Sequence, residues 1–151
     1  SMIRTVSGST ITLGYDVQLP RPYSRINIVQ GTKGIAQGYP ERISIEGSGN
    51  DHPWKSLEDY RQDYEHPLWQ QLHAQAEGKG HGGMDYLVLY RLVEALRNGT
   101  EPDMDVYDAA SWSVVSALSE RSVANRSRPV DFPDFTRGKW KTRSPLGIVT
   151  A

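Results

Sequence analysis

LPRPYSRINIVQGTKG, residues 19–34, is the stretch from which the fold is read. Pro20 and Pro22 fix φ and remove backbone donors, so this entry does not lie inside a central strand. Tyr23, Ser24 and Arg25 follow where the chain leaves that stiff bend. A strand is expected over residues 26–30. The Gly31-Thr32-Lys33-Gly34 turn then sends the chain back through residues 35–37. A polar aromatic cluster held by a rigid bend beside a sheet edge is suited to contacting a substrate. A strand entry with a decorated loop is the plainer reading of the same residues.

Working outward, residues 2–6 and 10–18 read as a hairpin with Ser7-Gly8-Ser9 as its turn. Ile11, Leu13, Tyr15 and Val17 alternate with Thr12, Gly14, Asp16 and Gln18, which predicts a strand with one buried face. Residues 42–46 alternate again, with Ile43 and Ile45 inward. Short turns between four or five strands make the pairing mainly antiparallel. Residues 47–53 form a loop. A short helix is expected over residues 56–64, with Ser56 as N-cap and Asp59 completing a weak capping box. Pro67 suits the first turn of a second helix through Ala76. Trp54, Tyr60, Tyr64 and Trp69 make this region an aromatic-packed insertion rather than a separate domain.

Gly78-Lys79-Gly80-His81-Gly82-Gly83 breaks the chain before a helix over residues 84–98. Its apolar residues run around most of the circumference, which predicts burial on more than one side. Gly99 stops it. Asp103 or Asp105 caps the next helix, which extends to about Arg126 with Tyr107, Ala110, Val114, Ala117 and Leu118 along one side. Residues 130–132 are expected as a last strand, and residues 139–151 as an extended basic tail. Strands first and helices after predict an α+β class: an open, mainly antiparallel sheet with helices packed on one face. The whole chain, residues 1–151, reads as a single domain.

The chain has 151 residues, a formal net charge of −1 and no cysteine. The charge balance argues against a nucleic-acid partner. The lack of cysteine excludes disulfides and thiolate metal sites and leaves the compartment open. No apolar run approaches the roughly 20 residues of a membrane span, so no membrane partner is expected. Ser1-Met2-Ile3-Arg4 runs into a strand pattern rather than a signal peptide. No G-x-G-x-x-G follows a strand, so no dinucleotide fingerprint is present. One piece of a longer protein is the expectation.

His81 is the titratable group of most interest. It precedes a helix N-terminus, with Asp85 just inside the helix. Exposed N–H groups there favour a polar or anionic ligand, and Gly82 and Gly83 allow close approach. A glycine-rich loop whose His caps the helix is the alternative. His52, His66 and His73 are scattered without metal-ligand spacing, so no metal is expected, and they read as surface or packing residues. Asp103 and Asp105 could form a carboxylate pair for glycoside hydrolysis, but their place before a helix favours capping.

Residues 19–34, HGGMDYLVLYRLVEALRNG (81–99), MDVYDAASWSVVSALSERSVAN (104–125) and RPVDFPDFTRG (128–138) together resemble the C-terminal domain of glycoside hydrolase family 109, within the Gfo/Idh/MocA-type oxidoreductases. The likeness thins over residues 47–77 and after 140. It implies an upstream Rossmann domain that holds NAD, and a C-terminal α+β domain whose sheet shapes a carbohydrate pocket and forms the contact of a homo-oligomer. It further implies an α-N-acetylgalactosaminidase-like activity running by redox-assisted elimination instead of the two-carboxylate route. Tyr23 is then the substrate-binding tyrosine of the PYSR motif, with Ser24, Arg25 and His81 near the sugar and Gly82, Gly83 and Asp85 in support. The catalytic residues are expected upstream, so this chain alone should neither hold NAD well nor turn over substrate. A sugar dehydrogenase of the same superfamily and a non-catalytic, self-associating module are the alternative readings.

Overall fold

The computed structural model describes residues 1–49, 51 and 53–150. The class is α+β; the described residues form two open antiparallel sheets and four α-helices. The chain divides into two compact units, Ser1–Gly14 with Gln71–Ala151, and Tyr15–Gln70.

In the first unit, β1 (Met2–Arg4) pairs with β2 (Thr10–Thr12) in the register Ile3 opposite Ile11. The expected turn is present. Thr5 N–H donates to Ser9 O at 2.8 Å, and Gly8 takes a φ of 91° that favours glycine. The Ser1 and Ser119 hydroxyls, 2.6 Å apart, join this hairpin to helix α4 (Val106–Ala124). The strand stops at Thr12 rather than running to Gln18. Asp16 Oδ1 accepts the N–H groups of Gln18 and Leu19, both at 3.2 Å, and this side-chain turn competes with a ladder. The apolar face expected on that strand is therefore not buried: Ile11, Leu13, Tyr15 and Val17 are all exposed.

Helix α3 (Met84–Asn98) ends at Gly99, whose φ of 63° is the left-handed C-terminal geometry. Burial on several sides is not seen. Ala95 is its one buried residue among those described, and Leu89 and Leu96 are exposed. Cover falls on one side only: Tyr86, Leu87, Tyr90, Arg91 and Glu94 are half-buried with Ala95, while Val88, Leu92 and Val93 are exposed. In α4, half-buried positions recur at Ala110, Val114 and Leu118, as expected, while Tyr107 and Ala117 are exposed. Residues 130–132 form no strand. Pro129 and Pro133 flank them and remove the donors a ladder needs. A 3-10 turn covers Lys139–Lys141, with no further element through Thr150.

In the second unit, β3 (Ile28–Gly31), β4 (Gly34–Gln37), β5 (Arg42–Ile45) and β6 (Lys55–Ser56) form one meander in that spatial order. Every pair is antiparallel. The two-residue turn sets Gly31 opposite Gly34, and a Cβ at Gly34 would lie 2.7 Å from the Ser44 carbonyl oxygen, so only glycine fits there. Helix α1 (Glu58–Tyr64) begins two residues past Ser56, whose hydroxyl accepts the Glu58 N–H at 3.2 Å; the expected box with Asp59 does not form. Helix α2 (Pro67–Ala76) begins in this unit and belongs to the first from Gln71 on; it buries Leu68, Leu72 and Ala76, four residues apart on one face.

Candidate functional site

The proline-led bend leads into a defined aromatic cluster. Arg25 Nε donates to the Tyr23 hydroxyl oxygen at 2.8 Å, and Tyr23 meets Tyr39 edge-to-face, ring centroids 5.8 Å apart. Ser24 Oγ accepts the Ile26 N–H at 3.1 Å, and Ile26 takes a φ of 48°. That kink explains why β3 starts at Ile28 rather than Ile26. Tyr23 is 73% exposed, so the pair is presented to solvent. Because the Tyr23 oxygen already accepts from Arg25, its own hydrogen is free to donate to an incoming oxygen. The bond to Tyr23, followed by the field of the Tyr23 and Tyr39 phenols, holds the Arg25 guanidinium above its ordinary pKa.

Tyr39 was not among the residues singled out in the sequence, although a signal for it existed. Gly38 N–H donates to Asn27 O at 2.8 Å, continuing the β3–β4 register past Ile28 and Gln37. The two-residue turn thus brings the start of one strand beside the residue after the other. Close by in the same meander, the Arg42 guanidinium lies over the Trp54 ring at 4.3 Å and donates to Gln37 Oε1 at 3.0 Å. A shallow cavity of about 240 Å³ in this unit is lined by Glu41, Tyr60, Arg61 and Glu65 among others. Its cation is already engaged: Arg61 pairs with Glu58, Glu41 and Glu65.

In the first unit, His81 opens a 3-10 turn, His81–Gly83, leading into α3. His81 does not cap the helix; Gly83, with φ 99°, occupies that position. The imidazole Nδ1 instead faces the Asp85 carboxylate at 2.9 and 3.0 Å. A carboxylate only accepts, so Nδ1 carries the hydrogen and Nε2 is left for a ligand. Gly80, Gly82 and Gly83 all have positive φ, and His81 itself sits at φ 44°. A Cβ at Gly80 would run into the Asp85 carboxylate, which ties this glycine to the His–Asp pair. The remaining predicted residues therefore fall in two groups: Tyr23, Ser24 and Arg25 in one unit, and His81, Gly82, Gly83 and Asp85 in the other.

The carboxylates before α4 serve as caps and braces. Asp105 accepts from Tyr107 N–H at 2.7 Å and Asp108 N–H at 3.0 Å, and Asp108 returns a bond to Asp105 N–H. Asp103 instead holds Arg91 in a two-point pair at 2.7 and 2.9 Å. Arg91 lowers the Asp103 pKa, chiefly by that hydrogen bond. His66 Nδ1 accepts the Leu68 N–H at 3.2 Å at the start of α2, a structural role. His52 lies outside the described residues.

Residues 1–142 match the family model described as the glycosyl hydrolase 109 C-terminal domain. The chain belongs to this family. All of it aligns, at 53% identity, with a glycosyl hydrolase family 109 protein of Shewanella sp. (strain W3-18-1). It also aligns along its whole length, at 52% identity, with a protein of Shewanella oneidensis named alpha-N-acetylgalactosaminidase. A glycosyl hydrolase family 109 protein of Shewanella pealeana is 53% identical over 99% of this chain. In each case the aligned part is 34% of the relative's length, so the chain spans about a third of the curated relatives it matches.

Proposed function

We propose that this chain is the sugar-facing part of an NAD-dependent glycosidase that releases terminal α-N-acetylgalactosamine. The observation that carries the reading is the family match over residues 1–142, alongside a 52%-identical relative named for that activity. Within it, Tyr23 is the substrate contact. Its hydroxyl hydrogen donates to a sugar oxygen while Arg25 holds its oxygen in place, and Tyr39 braces the ring edge-to-face. Ser24 and Arg25 shape the same contact. In the other unit, His81 is a separate candidate ligand contact through Nε2, its ring oriented by Asp85, and Gly82 and Gly83 leave the backbone open to a bulky ligand.

The residues present do not fit a dinucleotide. Every strand pair among the described residues is antiparallel, and no strand runs through a glycine-rich turn into a helix to cradle a pyrophosphate. The proposal therefore assigns NAD, and the groups that react with it, to an upstream Rossmann domain acting as this chain's partner. The meander supports self-association as well, because Ile28 and Val29 on its edge strand β3 are both exposed.

The test is hydrolysis of 4-nitrophenyl α-N-acetylgalactosaminide by the full-length protein supplied with NAD. Tyr23→Phe removes one donated hydrogen bond, and kcat/KM is expected to fall about three- to tenfold. An unchanged kcat/KM would remove Tyr23 from the site. Net reduction of NAD on free sugars without glycoside hydrolysis would replace the glycosidase reading with a dehydrogenase.

A further inference from the structure

The arginines of this chain are mostly engaged. Arg61, Arg91, Arg97 and Arg143 each hold a carboxylate, Arg42 lies over Trp54, and Arg25 binds Tyr23. Arg4, Arg121, Arg126, Arg128 and Arg137 differ: among the described residues none of these side chains hydrogen-bonds or ion-pairs with any group. Of these five, Arg121 and Arg128 share a surface feature. The two are seven residues apart in sequence, yet both line one open cleft of about 400 Å³ at the C-terminal end of α4. The helix dipole accounts for a cation at Arg121, in the last turn, but not for Arg128, which lies beyond the helix.

The bend that returns Arg128 to this cleft is firmly held. Arg126 and Ser127 adopt φ of 60° and 57°, a left-handed pair without a glycine. Ser127 N–H donates to Ser122 O at 2.8 Å, and Ser122 Oγ donates to Arg128 O at 2.8 Å. Asn125 Nδ2 donates to Arg121 O at 2.7 Å. The backbone on both sides of the cleft is thus pinned, and two cations face one space without a counter-charge bonded to them. Strain of this kind points from geometry towards a function.

We propose that this cleft binds one oxyanion of the sulfate or phosphate class, carried on a small hydroxylated molecule. Guanidinium groups suit such an anion because each offers paired donors in a plane. The cleft is larger than a bare anion needs and falls in the range of small-molecule pockets. Asp131 and Asn125 on its wall supply acceptors for hydroxyl groups. The Asp131 carboxylate also repels a second negative charge, which disfavours a polyanion. The site is independent of the glycosidase reading, since binding is read directly and without turnover.

The test is calorimetric titration of the full-length protein at low ionic strength with inorganic phosphate, glucose 6-phosphate and glucose 6-sulfate, with glucose as the neutral control. At least one anion is expected to bind saturably, and glucose is not. Arg121→Gln and Arg128→Gln should each weaken binding about tenfold, while Arg137→Gln, outside the cleft, leaves it unchanged. Arg128→Lys, which keeps the charge, should recover much of the loss and so separates ligand binding from misfolding. Tighter binding of the esters than of phosphate identifies an ester as the ligand, and the reverse identifies the free ion. No saturable binding of any anion, equal binding of glucose, or affinities unmoved by both glutamine variants would overturn the proposal.

Discussion

Asp103→Asn should loosen the junction between α3 and α4 by about 2 kcal/mol. Asp103 accepts from Arg91 Nε at 2.9 Å and from its terminal nitrogen at 2.7 Å, bridging mid-α3 to the residues before α4. The side chains are 25% and 20% exposed, too covered for the weak regime of surface pairs and too open for the full cost of a buried broken pair. Hydrogen bonds to a charged group contribute about 1.5–3 kcal/mol, so a mid-range loss of about 2 kcal/mol is expected. The asparagine keeps the shape but turns an NH2 group towards an Arg donor. Native-state hydrogen exchange over residues 84–110 measures the effect, with protection falling about 30-fold. The pH dependence has a defined sign. The folded Asp103 pKa is lowered, so the contribution is complete above the unfolded value of about 3.9 and disappears as pH falls through the folded value. Arg91→Met combined with Asp103→Asn should cost less than the two single changes summed. A loss below about 0.5 kcal/mol at neutral pH, the level of an exposed pair, would refute the reasoning.

Other outcomes follow from the same geometry. Asp105→Ala removes the acceptor for two N–H groups of α4 and should cost about 1 kcal/mol, read as faster amide exchange in the first turn of α4 with α3 unaffected. Gly80→Ala places a Cβ against the Asp85 carboxylate at a φ of 54°, so the His81 Nδ1 hydrogen bond should be lost, visible in the imidazole nitrogen shifts. Asp134 accepts from the Thr136 hydroxyl at 2.6 Å, from Gly138 N–H at 2.7 Å and from the Trp140 indole at 3.2 Å. The Thr136 hydroxyl leads in lowering its pKa, so residues 134–142 should stay ordered through the usual carboxylate range and open only as pH falls through that lowered value. Trp140 fluorescence reports it, and a transition above pH 4 would contradict the bonding pattern.

Local chemistry explains which features could be read before the fold was known. The Ser7-Gly8-Ser9 hairpin, the Gly31–Gly34 turn, the Gly99 stop and the Asp105 cap are each decided within a few residues, and each is present. The failures arise where a side chain competes with the backbone or where burial depends on neighbours. Alternation over residues 10–18 is real as a pattern, but Asp16 takes the N–H groups of Gln18 and Leu19 and ends the strand early. The apolar circumference of α3 predicts several packed sides, yet periodicity only states what a helix could bury, and only the side carrying Tyr86, Leu87, Tyr90, Arg91 and Ala95 is covered. The site divides in the same way. The Tyr23–Arg25 and His81–Asp85 contacts lie within a few residues of a proline bend and a glycine cluster that mark them locally, whereas Tyr39 reaches Tyr23 only through the strand register, and Arg121 and Arg128 line one cleft only through a left-handed bend built from arginine and serine. That bend carries no glycine to announce it, so spacing alone separates two cations that the folded chain brings to one cleft.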